Sequence, residues 1–155
     1  MHVLVATDGS DLALDAARHG LELLSNATNV TMLSVVSDLP VDTGGGIEGP
    51  IYTPEQEEEL RRAVARHATQ ALDDTEVVLR ALPTAPASLD RQIEAGDPAA
   101  VICAVAGELA VDVIVVGSHG KGLLSRVLLG SVSEHVTRHA PCPVLIVRSS
   151  TDLLG

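Results

Sequence analysis

Short apolar runs alternate along this chain with longer segments whose apolar positions return every three or four residues. Val3-Leu4-Val5-Ala6-Thr7 is the first run, of strand length and closed by the turn Asp8-Gly9-Ser10. Ala13, Ala16, Ala17, Gly20, Leu21 and Leu24 follow at helical spacing, with small residues on the face that would lie on a sheet. Val30 to Val36 reads as a second strand, so the opening segment predicts a right-handed βαβ unit.

Residues 37–53 read as a mobile surface loop. Gly44, Gly46 and Gly49 give a literal GxGxxG, but Pro50 and Pro54 delay the helix that a dinucleotide site needs, and Asp42 and Glu48 would repel a pyrophosphate. Thr53-Pro54-Glu55-Gln56 then starts a helix, with an N-cap threonine, proline at the first position and a capping-box glutamine. Leu60, Val64, Ala68, Ala71, Leu72, Val78, Leu79 and Leu82 continue its stripe. Within residues 76–82, Val77-Val78-Leu79 fits a strand as well as a helix, and periodicity leaves both open until Pro83. The alternation of Ala87, Leu89, Arg91 and Ile93 predicts a half-exposed edge strand. Asp97 caps the next helix, whose expected face is Val101, Val105 and Leu109. A fourth strand at 112–116, a helix from about 131 to 139 and a fifth strand at 144–147 complete the series, with 149–155 as a tail. Five strands alternating with four helices predict one doubly wound α/β domain over residues 1–155, its parallel sheet covered on both faces.

The fourth strand leads to the densest chemistry. Val113-Ile114-Val115-Val116 runs into Gly117-Ser118-His119-Gly120-Lys121-Gly122, and Gly130-Ser131 opens the following helix. Strand, glycine loop and helix N-terminus is an arrangement that receives phosphate, because the first N–H groups of a helix are unpaired and carry its positive dipole end.

Charge and composition narrow the partners. The chain carries a net charge of −11 and its one aromatic residue is Tyr52, so neither a basic surface nor stacking platforms for nucleic acid are expected. Residues 113–148 hold Lys121, Arg126, Arg138 and Arg148 against Glu134, a net of +3, so the rest carries −14. An acidic body with a locally cationic loop suits one small anionic ligand. No apolar run is long enough for a membrane span, the chain enters a strand with no leader ahead of it, and Cys103 and Cys142 have no framework spacing. A cytoplasmic protein with reduced thiols and no membrane or nucleic-acid partner is expected. The sequons at Asn26 and Asn29 are then chance matches. His135 and His139 lie one turn apart on a helix but lack a third metal ligand in the sequence.

Gly117-x2-Gly120-x9-Gly130-Ser131 matches the G-x2-G-x9-G-(S/T) motif of the ATP-binding branch of the universal stress protein family. Thr7-Asp8-Gly9-Ser10 and Pro141-Cys142-Pro143-Val144 fit in order as well, so the chain resembles that family over essentially its whole length. The resemblance implies the sheet order 3-2-1-4-5, with Asp8 and Gly117 beside one crevice at the switch point. It implies ATP, with Mg²⁺, as the ligand. Ala6, Thr7 and Asp8 would line the adenosine side, with Val35 and Val116 against the base. Gly117, Ser118, His119 and Gly120 would wrap the triphosphate through backbone groups, and Lys121 would offer a point charge. Gly130, Ser131, Val132 and Ser133 would receive phosphate, although Ser131-x-x-Glu134 is also a capping box. Asp8 would meet a ribose hydroxyl or a cation, or else cap the first helix.

The function implied is a nucleotide-dependent regulator or sensor, with at most slow hydrolysis or autophosphorylation because no positioned base or arginine finger is evident. Two other functions compete: an adenylyl- or phosphoryl-transferase, whose second substrate would need the 37–53 loop, and an interaction protein that does not use the motif. The aliphatic 144–147 edge also predicts a homodimer paired across a two-fold axis.

Overall fold

The computed structural model describes residues 1–37, 52–118 and 129–148, and the strands within them form one parallel sheet. In chain order the elements are β1 (His2–Ala6), α1 (Asp11–Leu23), β2 (Asn29–Val36), α2 (Pro54–Arg80), β3 (Ser88–Ala95), α3 (Pro98–Glu108), β4 (Val113–Gly117), α4 (Ser131–His139) and β5 (Val144–Val147). The sheet order is β3-β2-β1-β4-β5, as the resemblance implied. The described residues thus form a single α/β domain with four helices around five strands.

Strand alternation divides the core. On β1, Val3 and Val5 face the cluster under α1 and α2, while Leu4 faces the one under α3 and α4. On β4, Val113 and Val115 join the first cluster, Ile114 and Val116 the second. Register pairs Val3 with Val113 and Leu4 with Ile114, so the apolar faces of the two central strands coincide. Burial on both faces explains why these strands are unbroken apolar runs rather than alternating ones. β3 does alternate and occupies one edge, with Asp90 and Arg91 exposed. Its charges oppose the addition of another strand.

Gly20 lets α1 approach β4. A Cβ there would sit 2.6 Å from Val115 Cγ1, inside van der Waals contact. The small face of α1 (Ala13, Ala16, Ala17, Gly20) is therefore a close-packing surface, as its spacing predicted.

The open question at 76–82 resolves as helix through Arg80, with Ala81 as its C-cap. α2 runs unbroken to Arg80, with Ala68, Leu72, Thr75 and Leu79 buried at intervals of three and four. Val77 is exposed and Leu79 fully buried, so the β-branched pair does not interrupt the helical period. A complete Thr53–Gln56 capping box starts this helix, with Gln56 N–H donating to Thr53 Oγ1 at 3.3 Å and Thr53 N–H to Gln56 Oε1 at 2.9 Å. Among the described residues no glycine or proline stops it before Pro83.

Two expected details need correction. The buried face of α3 is Ala99, Ile102, Val105 and Ala106, whereas Leu109 is exposed and Val101 half-buried. α3 is apolar nearly all round, with Ala99 and Ala106 buried but Ala100 and Ala104 exposed, so its sequence offers no polar stripe to set the rotation. The second concerns Ser131-x-x-Glu134, which is not a capping box. Gly130 is the N-cap of α4, no side chain caps that end among the described residues, and Ser131 is the first helical residue. Glu134 instead pairs with Arg138 one turn on, 2.7 Å away. The 38–51 part of the loop, residues 119–128 and the 149–155 tail lie outside the described residues.

Candidate functional site

The order of the sheet reverses between β1 and β4, because the chain leaves β1 towards β2 and returns after β3 to β4 on the other side. Connections there diverge and leave a crevice beyond the carboxyl ends of the strands. A cleft of about 300 Å³ occupies this position, at the lower end of the range for small-molecule sites.

Of the fourteen site residues expected from sequence, ten line it. Ala6, Thr7 and Asp8 come from the end of β1, Val35 from β2, and Val116 and Gly117 from β4. Gly130, Ser131, Val132 and Ser133 supply the helix end opposite. Asp8 and Gly117, 109 positions apart, thus meet at one crevice. Ser118 is buried just behind it, its N–H donating to Val147 O at 2.9 Å and its carbonyl accepting from Gly130 N–H at 2.8 Å. That second bond draws together the two ends of the 118–130 connection. His119, Gly120 and Lys121 lie outside the described residues, as does Arg126.

Four further lining residues were not foreseen: Ala13, Leu33, Pro98 and Ile102. Leu33 was accessible to simple parity, since it stands two positions before Val35 on the same face of β2. Ile102 and Pro98 depended on the correct rotation of α3, which the uniform apolarity of that helix hid. Together with Val35 and Val116 they make one wall aliphatic, which suits a flat apolar ring in a chain without aromatic platforms.

The polar end is organised by hydrogen bonds. Asp8 Oδ1 accepts from Ser10 N–H at 3.0 Å and from Ser10 Oγ at 2.5 Å. Ser10, not Asp8, is the N-cap of α1, accepting from Ala13 N–H at 3.2 Å. The capping role considered for Asp8 is therefore filled by its neighbour, and Asp8 orients that neighbour. Gly9 takes φ +72°, the left-handed turn that carries the chain from β1 into α1.

Ser133 is more constrained than its sequence suggested. Its hydroxyl donates to Gly117 O at 2.7 Å, and Ser118 O is 3.3 Å away. A hydroxyl has one proton, so Ser133 can offer a ligand its backbone N–H while its side chain ties α4 to the end of β4. Ser131, exposed at the first turn, keeps its hydroxyl clear of any cap. Among the described lining residues Asp8 is the one ionisable group, so no paired acid and base face the cleft from them.

His135 and His139 stack, with ring centroids 4.2 Å apart, and His139 Nδ1 lies 2.9 Å from His135 O. Among the described residues no group of three potential ligands could hold a metal. Cys103 and Cys142 are both free thiols, and burial pushes both upward in pKa, Cys142 further through Cys103 and Asp112 nearby. Such thiols stay protonated and slow to react at neutral pH. Among the described residues no helix is long and apolar enough to cross a membrane.

Residues 1–148 match the universal stress protein family. The chain belongs to that family. It is 34% identical to universal stress protein YxiE of Bacillus subtilis, over 94% of this chain and 97% of that one. Universal stress protein UspA from Lactobacillus plantarum superposes with a TM-score of 0.75 at 27% identity, covering 96% of this chain and 97% of the other. A universal stress protein family member from Arabidopsis thaliana, determined with AMP bound, shares the fold with a TM-score of 0.61 at 21% identity, over 100% and 95% of the two chains. The fold is thus that of universal stress proteins.

Proposed function

We propose that this universal stress protein binds ATP, together with Mg²⁺, in the switch-point cleft and acts as a nucleotide-dependent regulator or sensor. One observation carries the reading: the N-terminus of α4, capped only by Gly130, and the aliphatic wall of Val35, Ile102 and Val116 line the same cleft. An apolar wall for a base and a helix end for an anion are the two halves of a nucleotide site. The AMP bound to the Arabidopsis protein supports the ligand class.

In this reading Ala6, Thr7 and Asp8 lie along the adenosine, and Val35 and Val116 flank the base. Ser131, Val132 and Ser133 offer phosphate their backbone N–H groups, aided by the Ser131 hydroxyl, while Gly117 and Gly130 leave room for the anion to approach. Ser118, His119, Gly120 and Lys121 complete the phosphate loop, with Lys121 supplying positive charge. Mg²⁺ accompanies the phosphates, and Asp8, the one carboxylate among the described lining residues, would share it. With no acid–base pair facing the cleft from the described residues, turnover is slow, far below the roughly 1–100 s⁻¹ of protein kinases.

Nucleotide-stripped protein titrated with Mg·ATP and with AMP tests this. The expected result is micromolar binding of ATP, at least about tenfold tighter than AMP, since a helix terminus and a lysine both favour the longer anion. Equal affinities would transfer the reading to a nucleoside monophosphate site. We also place a two-fold interface at β5, whose Val144, Leu145 and Ile146 are only half-buried at the sheet edge. Sedimentation at micromolar concentration should give a dimer, and a monomer would remove that interface.

A further inference from the structure

α2 lines no part of the cleft among its described residues, yet it is joined to the cleft's polar end by two contacts. Thr75 is fully buried on α2, with its Oγ1 2.7 Å from Ala71 O and 3.0 Å from Thr7 Oγ1. Thr7 Oγ1 in turn accepts from Gly9 N–H at 3.2 Å. Each hydroxyl has a single proton. The arrangement that uses every one runs from Gly9 N–H to Thr7 Oγ1, from the Thr7 hydroxyl to Thr75 Oγ1, and from the Thr75 hydroxyl to Ala71 O. Thr7 therefore turns its proton away from the cleft and into α2. One turn before Thr75, Gly9 sits directly on the helix, where an added Cβ would fall 2.9 Å from both Ala71 Cα and Ala71 Cβ. The residues on either side of Asp8 are thus both fastened to α2, one by hydrogen bond and one by contact.

We propose that Thr75 is a positioning residue for the nucleotide site, acting through Thr7 and Gly9 to hold Asp8 in place, so that ligand affinity and the setting of α2 are coupled. The inference rests on the nucleotide reading of the cleft given above. Without the Thr75 hydroxyl, the buried Thr7 hydroxyl loses its acceptor and must rotate to find another. Thr7 Oγ1 then no longer holds Gly9 N–H in the same geometry, and the Asp8-Gly9-Ser10 turn loosens beside the ligand. Coupling in the reverse direction follows by linkage: ligand at Asp8 stabilises this packing of α2.

The test compares Thr75→Val, Thr75→Ser, Thr7→Val and the pair Thr7→Val with Thr75→Val, by titration with Mg·ATP, thermal melting and amide hydrogen exchange at Gly9. Thr75→Val should bind about tenfold more weakly and exchange Gly9 N–H faster, and Thr75→Ser should restore both to within about twofold. Compared with Thr7→Val alone, the paired variant should bind no more weakly, since Thr75 acts through the Thr7 hydroxyl. Additive losses in that comparison would overturn the proposal, and it carries the test should Thr75→Val alone not fold. A folded Thr75→Val protein with unchanged ATP affinity and unchanged Gly9 exchange would overturn the proposal and leave the nucleotide site standing. Absence of ATP binding in the unmodified protein would overturn the reading of the cleft instead.

Discussion

Replacing Gly130 by aspartate should abolish nucleotide binding, by about a hundredfold or more in affinity, while leaving the fold intact. Gly130 has φ −62° and ψ 153°, an extended conformation open to any residue, so glycine is not required there for its backbone freedom. Its position at the end of α4, in the wall of the cleft, points to space and charge as the reason for having no side chain. An aspartate at an N-cap accepts from the first N–H groups of the helix, the groups a phosphate would use, and its charge repels the phosphate as well. Asp is at least as good a cap as Gly, so unfolding free energy should stay within about 0.5 kcal/mol of the parent. Titration and thermal melting of Gly130→Asp read the two effects separately. Loss of binding accompanied by loss of fold would mean that Gly130 is a packing residue and nothing more.

Ile114→Ala should cost about 3–4 kcal/mol of stability. Ile114 is 0% exposed on β4, flanked by Leu4 of β1 and Val144 of β5, in the cluster that α3 and α4 cover. Truncation removes three buried carbons and leaves a cavity that surrounding strands are too constrained to fill. In a chain of this size the melting temperature should fall by roughly 10 °C. Urea unfolding provides the measurement, with Leu23→Ala as the contrast, since Leu23 is 72% exposed and should change stability by less than about 0.5 kcal/mol. A loss below about 1 kcal/mol at Ile114 would contradict a core built on both faces of β4.

The alternation of strands and helices was legible because burial on both faces leaves β1 and β4 as solid apolar runs, a pattern that survives without structural context, whereas the strand order came only from the family resemblance. Helix starts were legible where a side chain makes the cap, as at Thr53 and at Asp97, whose carboxylate accepts from Ala100 N–H at 2.9 Å. Helix rotation was not legible at α3, because Val101, Ile102, Val105 and Ala106 present no polar contrast. Residues 76–82 stayed ambiguous locally and were decided by Leu72, Thr75 and Leu79, which share one buried stripe. Thr75 itself was invisible as a core residue, since a polar side chain in a helical stripe reads as exposed unless its partner is known. Its partner, Thr7, is 68 positions away.

The cleft shows the same division. Asp8, Gly117 and Gly130 were found by their place at strand ends and helix starts, which topology then brought together. Ser131 and Ser133 were found as positions, but their chemistry came only with structure: Ser131 is not a cap, and the Ser133 hydroxyl is already given to Gly117 O. Hydrogen-bond direction depends on distances between elements, and no local pattern encodes it.

The most direct measurement is to denature freshly purified protein and identify what it releases, then to repeat this with Gly130→Asp. Release of ATP from the parent protein and none from the variant is the predicted result. A parent protein that releases no nucleotide, and takes up no Mg·ATP once stripped, would contradict the account.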